Sequence, residues 1–288
     1  MKWNEKSKEW KFIRTRNDKQ SANNATLVSE LLNVISTPIS LEIIIDMKSY
    51  YSPFPSCTPG LACMRLHHRH IKQLLYSLFG SASSMDLCCG KLLDIGSYAD
   101  AKMHKVLAVD IDKEALKIAK LNQSKCSNCE VTLLQADLSI PNSLVDIVTK
   151  ASSIFCHFAV HYFFASVEST STFITNFLPL LEDNGLVIVT YMEGDSIRNN
   201  LPCLITSNGE IEFSATKLID SDEKINVYIK SIGQSHVESI VDSATLIERF
   251  ASHGLECIQT LKFSEFDILI NDRCKLVLMR LNFLASIR

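Results

Sequence analysis

The stretch MDLCCGKLLDIGSYADAKMHKVLAVDID, Met85–Asp112, decides the fold. Its last third, HKVLAVDID (His104–Asp112), is an apolar run ending in acid, the pattern of a strand buried on both faces of a parallel sheet. Two segments compete for the strand before it, MDLCCGK (Met85–Lys91) and KLLDIGS (Lys91–Ser97). The second is the more apolar, but it leaves only Ser97–Met103 for the crossover, and a parallel crossover with its helix takes about 10–12 residues. From Asp86 to Asp110 there are 110 − 86 = 24 positions, room for a turn and a helix. MDLCCGK is therefore assigned as the first strand with its turn.

Outward from this stretch, helix and strand patterns alternate. Met64–Leu78 reads as a helix, KEALKIAKLNQ (Lys113–Gln123) as an amphipathic helix, and VTLLQAD (Val131–Asp137) as a strand again ending in acid. SIFCHFAV (Ser153–Val160) reads as a third strand, STFITNFLPLLEDNG (Ser171–Gly185) as one helix, and LVIVTYM (Leu186–Met192) as a strand. ATLIERFASHG, LECIQTLKF and CKLVLMRLNF give a helix and a closing strand pair. The sum is an α/β chain with an open, mostly parallel sheet and helices on both faces. Upstream, Leu27, Val28, Leu31, Leu32 and Ile35 follow helical spacing, a further helix is expected from near Ser40, and YYSPFPSCTPG (Tyr50–Gly60) is a loop or boundary.

Composition narrows the function. Apolar residues make up 47% of the 288 and charged residues 21%, which excludes wholesale disorder. Net charge is 29 − 32 = −3, so the chain does not wrap nucleic acid through bulk charge, and any RNA site is local. Ile154–Ala165 is too short and too rich in histidine for a membrane span. Lys2, Glu5, Lys6, Lys8 and Glu9 stand where a secretory leader would be apolar. Ten scattered cysteines, several in apolar runs, suit free thiols in a reducing, cytoplasmic compartment. Cys126 and Cys129 form a lone CxxC without a second pair, read as loop cysteines rather than a metal site. The first twenty residues hold seven Lys/Arg against three Asp/Glu and both tryptophans, Trp3 and Trp10. There Arg14, Arg16 and Lys19 read either as a phosphate clamp or as a solvated basic arm.

In an open α/β sheet, ligands lie across the carboxyl ends of the strands where the strand order reverses. Asp110 and Asp137, each just past an apolar strand, converge there. A carboxylate ending the second strand is suited to ribose hydroxyls; the alternative is that Asp110 caps a turn.

On these residues the chain resembles mRNA cap guanine-N7 methyltransferases. MDLCCGKLLDIG…LAVDID is similar to that family's DLGCGKGGDL…GVDIA segment through Asp86, Leu87, Cys89, Gly90, Lys91 and Asp94. MRLHHRHIK (Met64–Lys72) resembles its RNFNNWIK helix, FCHFAVHYFFAS its QFAFHYSFES segment with His161–Tyr162 as the HY pair, and VYIKSIGQSHVESIVD its segment with the cap-guanine glutamate, here Glu238. WKFIRTRNDKQSANNATLVSELL resembles the final motif and tail of mRNA capping guanylyltransferases, whose KxDG nucleotidylation motif is absent. Guanylyltransferase followed by N7-methyltransferase is the order in fused capping enzymes of large cytoplasmic DNA viruses and yeast cytoplasmic linear plasmids.

The resemblance implies a Rossmann-like S-adenosylmethionine-dependent methyltransferase fold over 47–288, preceded by a guanylyltransferase tail and linker at 1–46. It implies transfer of the donor's methyl group to guanine N7 of the RNA 5′ cap, without a general base and with no residue acting chemically. Lys72 would hold the methionine carboxylate, the Cys88–Gly90 backbone would lie along the donor, and Asp94 would bind its amino end. Asp110 would take the ribose and Asp137 the adenine amino group, with His157 near the ring. Glu238 would accept from the guanine edge, helped by His161 and Tyr162. Implied partners are the capped RNA end, a guanylyltransferase domain in the same polypeptide and a stimulatory subunit, with no membrane. Departures are Cys88 for the first loop glycine and Leu92–Leu93 for the glycine pair, side chains that call for ordinary φ values and narrow the donor's approach. Others are Arg69 for asparagine and His157 for glutamine, while the family's C-terminal aromatic beside the cap has no match. These departures leave open an alternative from another class, a catalytically degenerate subunit that binds a capping partner.

Overall fold

Ser83–Leu87 (β3) is the middle one of five parallel strands, paired on one side with Lys105–Asp110 (β4) and on the other with Ala151–His157 (β6). In the computed structural model the described residues are 61–101, 103–124, 128–207, 209–230, 233–263 and 274–281, with two short strands near the start. Those two strands, Lys2–Asn4 (β1) and Glu9–Lys11 (β2), pair antiparallel with Trp3 and Trp10 as backbone partners in the register. The chain divides into two units, Met1–Ser52 and Pro53–Arg288. The readings on residues 12–60, including Arg14, Arg16, Lys19 and the proline-rich loop, lie outside the described residues, as does Cys126.

The main sheet has seven strands in the order β12-β13-β7-β6-β3-β4-β5. Glu130–Gln135 (β5), β4, β3, β6 and Leu181–Met192 (β7) are parallel, and Cys274–Leu281 (β13) inserts antiparallel between β7 and Leu255–Lys262 (β12). Strand order runs outward from β3 through β4 to β5 and then returns to β6, which puts the reversal between β3 and β6. MDLCCGK is thus the first strand and its turn, and the competing KLLDIGS segment instead leads into a short helix, Ile95–Asp100 (α2).

Alternation along β6 divides the packing between two faces. Ile154 and Cys156 join a core built with Phe173, Ile174 and Phe177 of Val167–Phe177 (α4) and Leu246 and Phe250 of Ser243–Ala251 (α6). Phe155 points to the other face, where it meets Tyr76 of Leu61–Phe79 (α1), which also packs edge-on against Tyr98 of α2. Lys113–Gln123 (α3) is capped by Asp112, whose Oδ1 accepts from the backbone N–H of Glu114 and Ala115 at 2.8 and 3.1 Å.

Three elements differ from the sequence reading. The segment Ser171–Gly185 is not one helix. α4 stops at Phe177, Leu178–Leu180 is a 3-10 turn around Pro179, and β7 begins at Leu181, because the ring of Pro179 removes a backbone donor and blocks helix continuation. The strand SIFCHFAV ends at His157; Phe158 takes a left-handed φ of 55° and the chain enters a 3-10 turn at Val160–Phe163. Between Gly194–Arg198 (α5) and α6, an antiparallel sheet appears that the strand pattern did not suggest. It consists of Cys203–Ser207 (β8), Glu210–Leu218 (β9), Ser221–Ile229 (β10) and Ser235–Ser239 (β11). Its apolar face packs Phe213, Ala215, Ile225 and Val227 on Ile197.

This second sheet is clasped to the main one. Arg198 makes a two-pronged ion pair with Asp242 at 2.7 and 2.8 Å, Gly194 N–H donates to the Val241 carbonyl at 2.9 Å, and Glu193 bridges to Val241. A Cβ on Gly194 would collide with the Asp242 carboxylate, so this close approach requires glycine. On the other side, Arg249 of α6 fixes the segment after the Val160–Phe163 turn. Its Nη1 donates to the carbonyls of Phe164 and Ser166 and to Thr170 Oγ1 at 3.2, 3.1 and 2.8 Å, with the guanidinium 4.2 Å over the Phe164 ring. Replacing Arg249 with Met, which keeps the stem and removes these donors, is expected to cost about 2–3 kcal/mol. Urea titration of both proteins measures this directly.

Candidate active site

Four segments meet at the carboxyl ends of β3, β4 and β6: the loop after β3, the acid ending β4, the turn after β6 and one face of α1. The loop turns sharply. Cys88, Gly90 and Leu92 have φ values of 59°, 54° and 53°, all left-handed. The chain therefore keeps the backbone of a glycine loop where two of the three residues carry a Cβ, instead of relaxing to ordinary φ. Each such residue costs roughly 1–2 kcal/mol, so surrounding structure must impose it. Hydrogen bonds do so. Cys89 N–H donates to the Val109 carbonyl at 3.0 Å and Leu92 N–H to the Cys89 carbonyl at 3.1 Å. The side chains do not crowd the crevice as the sequence suggested: Cys88 packs against the core cluster, Leu92 is 1% exposed, and Leu93 stands in solvent. At Gly90 a Cβ would meet nothing within 4 Å, which leaves open space beside the loop.

Asp110 locks this loop to β4. Its Oδ2 accepts from Gly90 N–H at 2.6 Å and its Oδ1 from Asp112 N–H at 2.8 Å, while the Ala136 N–H donates to the Asp110 carbonyl at 3.1 Å. The turn-capping reading of Asp110 is thus observed. Asp137 at the end of β5 accepts from the N–H and hydroxyl of Ser139 at 2.9 and 2.6 Å, both on Oδ1. Asp94, which opens α2, forms an ion pair with Lys72 of α1. The pair holds a cation and an anion side by side at the far end of the loop from Asp137.

Buried charge is adjusted around this frame. Asp86 of β3 accepts from the Tyr98 hydroxyl, and burial raises its carboxyl to about 7 against the opposing pull of that hydrogen bond. His157 ends β6 with Nδ1 3.1 Å from Thr190 Oγ1 and its ring edge-on to Tyr76. Burial, with Lys72 nearby, holds it well below the usual imidazole range, hence neutral. β3 and β4 stand between β6 and β5, so His157 lies with the Lys72 end of the crevice and apart from Asp137.

Beyond the crevice, the structure brings together residues from the two sheets. His161, in the turn after β6, and Glu238, in β11, stand 3.6 Å apart (Nε2 to Oε2) with 12% and 7% of their side chains exposed. Tyr162 lies with its ring centroid 4.1 Å from that of His161 and is itself 58% exposed. Burial raises the Tyr162 hydroxyl, and the charge of Glu238 adds to the shift. Burial lowers His161 to about 4 and raises Glu238 to about 7. Nε2 of both His157 and His161 is buried without a hydrogen-bond partner in the protein. A buried ring nitrogen without a partner is a group that a bound ligand or water can satisfy.

Sequence reasoning missed an aromatic group at this end of the sheet. Phe158, forced to a left-handed φ, stacks on His68 of α1 at 4.3 Å and 24°, and Phe263 at the end of β12 stands edge-on to both. No local pattern marks these residues; the HF step in FCHFAVHY is the nearest signal. Among the described residues there is no cluster of three or more His, Cys, Asp or Glu that could hold a metal, and no helix long and apolar enough to cross a membrane.

A strand-switch crevice with a left-handed loop and an acid ending the second strand defines a Rossmann-like, S-adenosylmethionine-dependent methyltransferase. Solved structures agree on the fold. A methyltransferase of this type from Clostridium acetobutylicum superposes with a TM-score of 0.55 at 14% identity, over 75% of this chain and 90% of that one. The CcbJ methyltransferase of Streptomyces caelestis gives 0.55 at 15%, over 75% and 94%. Residues 64–214, more than half of the chain, match the mRNA (guanine-N(7))-methyltransferase domain, and the chain belongs to that family. Residues 1–45 match the C-terminal domain of mRNA capping enzymes. A probable mRNA-capping enzyme of Acanthamoeba polyphaga mimivirus is 22% identical over 259 residues, covering 68% of this chain and 22% of the viral protein. The mRNA-capping enzyme of African swine fever virus (isolate Pig/Kenya) is 25% identical over 216 residues, covering 63% and 25%. The chain spans about a quarter of the length of these curated relatives.

The raised Glu238 carboxyl has a consequence for stability. An acid whose folded pKa exceeds its unfolded value stabilises the fold below about 4.5 and loses that contribution as pH rises through about 7. Glu238→Gln, which cannot ionise, should therefore gain on the wild type between pH 5 and pH 8, by about 1–3 kcal/mol. Thermal melts of both proteins at the two pH values check the sign; a constant difference would place Glu238 in water.

Proposed function

We propose that this chain transfers a methyl group from S-adenosylmethionine to guanine N7 of the RNA 5′ cap. The observation that carries the reading is the buried approach of Glu238 to His161 beside the donor crevice, made by residues of two separate sheets. Family membership supports the same reaction.

The residues fit the donor along its length. The Lys72–Asp94 pair complements an amino acid's carboxylate and ammonium, with His157 Nε2 on the same side. The open side of Gly90 leaves room for the donor against the loop. Asp110 uses two of about four acceptor positions on backbone N–H groups and keeps the others for ribose hydroxyls. Asp137 is offered to the adenine amino group. We assign His157 to the methionine end rather than the ring, from its place beside Lys72.

S-adenosylmethionine supplies a methyl group on a sulfonium that is already a good leaving group. Guanine N7 attacks as a lone pair with no proton to remove, so the protein needs no general base, and its work is alignment and electrostatic setting. Glu238 as carboxylate accepts from guanine N1–H and N2–H, His161 and Tyr162 line the base, and the anion stands near the positive charge that develops on the ring. Adenine presents no such donor pair and would leave Glu238 buried and unpaired.

The partners are the capped 5′ end of RNA and, from the match over residues 1–45, a guanylyltransferase domain in the same polypeptide. Free thiols at Cys88, Cys89, Cys156 and Cys257 suit a reducing compartment and support a cytoplasmic setting. The left-handed loop kept by Cys88 and Leu92 supports this reading over that of a degenerate subunit.

Two substitutions separate the halves. Asp110→Ala should weaken S-adenosylhomocysteine binding by about 1–3 kcal/mol in calorimetry, the scale of charge-assisted hydrogen bonds. Glu238→Gln should leave that affinity nearly intact and lower methylation of GpppN-capped RNA at least about tenfold, the scale of one lost charged contact. Wild-type turnover in Glu238→Gln would remove the residue from the cap site, and loss of donor binding would move it to the other half.

A further inference from the structure

The turn after β5 carries Asp137, but it is held from another element. The helix α4 buries Thr170, Phe173, Ile174, Asn176 and Phe177, and of these only Asn176 brings an amide into the core. It is 5% exposed. An amide so placed costs free energy unless its donors and acceptor find partners. They do. Asn176 Nδ2 donates to the Leu138 carbonyl at 3.0 Å and to the Ile140 carbonyl at 2.9 Å, and its Oδ1 accepts from the Ser143 N–H at 3.0 Å. Two carbonyls and one N–H as partners also fix which end of the amide is which.

All three bonds go to the backbone of residues 138–143, directly after Asp137. Asp137 closes the first part of that turn itself: its Oδ1 takes the N–H and hydroxyl of Ser139, and its carbonyl takes the Ile140 N–H at 3.1 Å. Both side-chain bonds fall on Oδ1, which leaves Oδ2 to a ligand. Leu138 and Leu144 bury their side chains in the core cluster, at 3% and 2% exposure. Apolar burial of this kind sets the depth of the segment but has no direction. Hydrogen bonds have one, and they weaken steeply as they bend. The orientation of the turn therefore comes from the Asn176 amide.

We infer that Asn176 is a positioning residue for the adenine end of the methyl donor, fixing the Asp137 carboxylate so that the site accepts a 6-amino purine and rejects a 6-oxo one. The inference rests on the proposed placement of Asp137 at the adenine amino group. Hypoxanthine differs from adenine in carrying a carbonyl at C6 and a hydrogen on N1. A fixed carboxylate would face that carbonyl oxygen, two acceptors with no proton between them. A carboxylate on a slack turn could instead move to the neighbouring N1–H. Discrimination between the two bases thus reports how firmly Asp137 is held. Partial unfolding lowers the apparent affinity for both ligands alike and leaves their ratio unchanged.

The experiment measures S-adenosylhomocysteine and S-inosylhomocysteine binding by calorimetry on each protein. The wild type should prefer the adenosyl ligand at least about tenfold, the scale of one hydrogen bond to a charged group. Asp137→Ala should abolish the preference, and Asn176→Ala should reduce it to within about threefold, as expected when a site loses a held polar contact. Asn176→Ser should move the ratio the same way by less, and it carries the test if the Ala variant does not fold. Thr170→Val is the control, because Thr170 is another buried polar group of α4 but bonds the Phe163 and Ser166 carbonyls instead. It should lower the urea midpoint and keep the wild-type ratio. Full preference in the Asn176 variants, or an equal loss in Thr170→Val, would overturn the positioning role. A wild type without preference, or an Asp137→Ala protein that keeps it, would instead remove Asp137 from the adenine and the inference with it.

Discussion

Two backbone N–H groups, those of Gly90 and Asp112, converge on the Asp110 carboxylate, and the geometry of the crevice follows from that convergence. The bond from Gly90 draws the loop after β3 onto the end of β4. The bond from Asp112 fixes the start of α3, which Asp112 itself caps. Because β3 pairs with β6 on its other side, any slack at Asp110 would pass to the loop and alter its distance from His157 and the turn carrying His161. A carboxylate serves here where an amide would not, because it accepts two N–H bonds and retains acceptor positions for a ligand.

Strain is the second constraint. Cys88, Leu92 and Phe158 all adopt left-handed φ at the same end of the sheet, and non-glycine residues there are costly. Each is held by neighbours: the first two by loop hydrogen bonds and core packing, and Phe158 by its N–H bond to Thr190 at 2.8 Å and the stack with His68. Strain at Phe158 bends the chain at the end of β6 so that His161 turns toward Glu238. The second sheet completes the arrangement from outside, clasped through Gly194 and Arg198 to Val241 and Asp242. Neither sheet alone makes the His161–Glu238 pair.

The parallel sheet was legible because its strands are buried on both faces and read as continuous apolar runs, and because Asp110 and Asp137 end two of them. Crossover length alone separated MDLCCGK from KLLDIGS. The second sheet was not legible by the same logic, since β10 mixes Asp222, Glu223 and Lys224 with a single buried alternation at Ile225 and Val227. That alternation, with Phe213 and Ala215 in β9, was the available signal. Pro179 marked the break in Ser171–Gly185, and the apolar residues around it concealed the change from helix to strand. Loop conformation could not be read from residue type at all: glycine's absence suggested ordinary φ, whereas tertiary hydrogen bonds impose the left-handed form. The pairing of Lys72 with Asp94, and the joining of His161 to Glu238, are long-range contacts that only the resemblance anticipated.

The central claim is that the crevice and the pair beside it align a methyl group with one ring nitrogen. The most direct measurement supplies trideuteromethyl S-adenosylmethionine and GpppA to the protein and locates the label by mass spectrometry after enzymatic cleavage. The account predicts the label on the guanine base at N7, with none on adenosine. Label on a ribose oxygen or on adenine, or no transfer while S-adenosylhomocysteine binds normally, would contradict it.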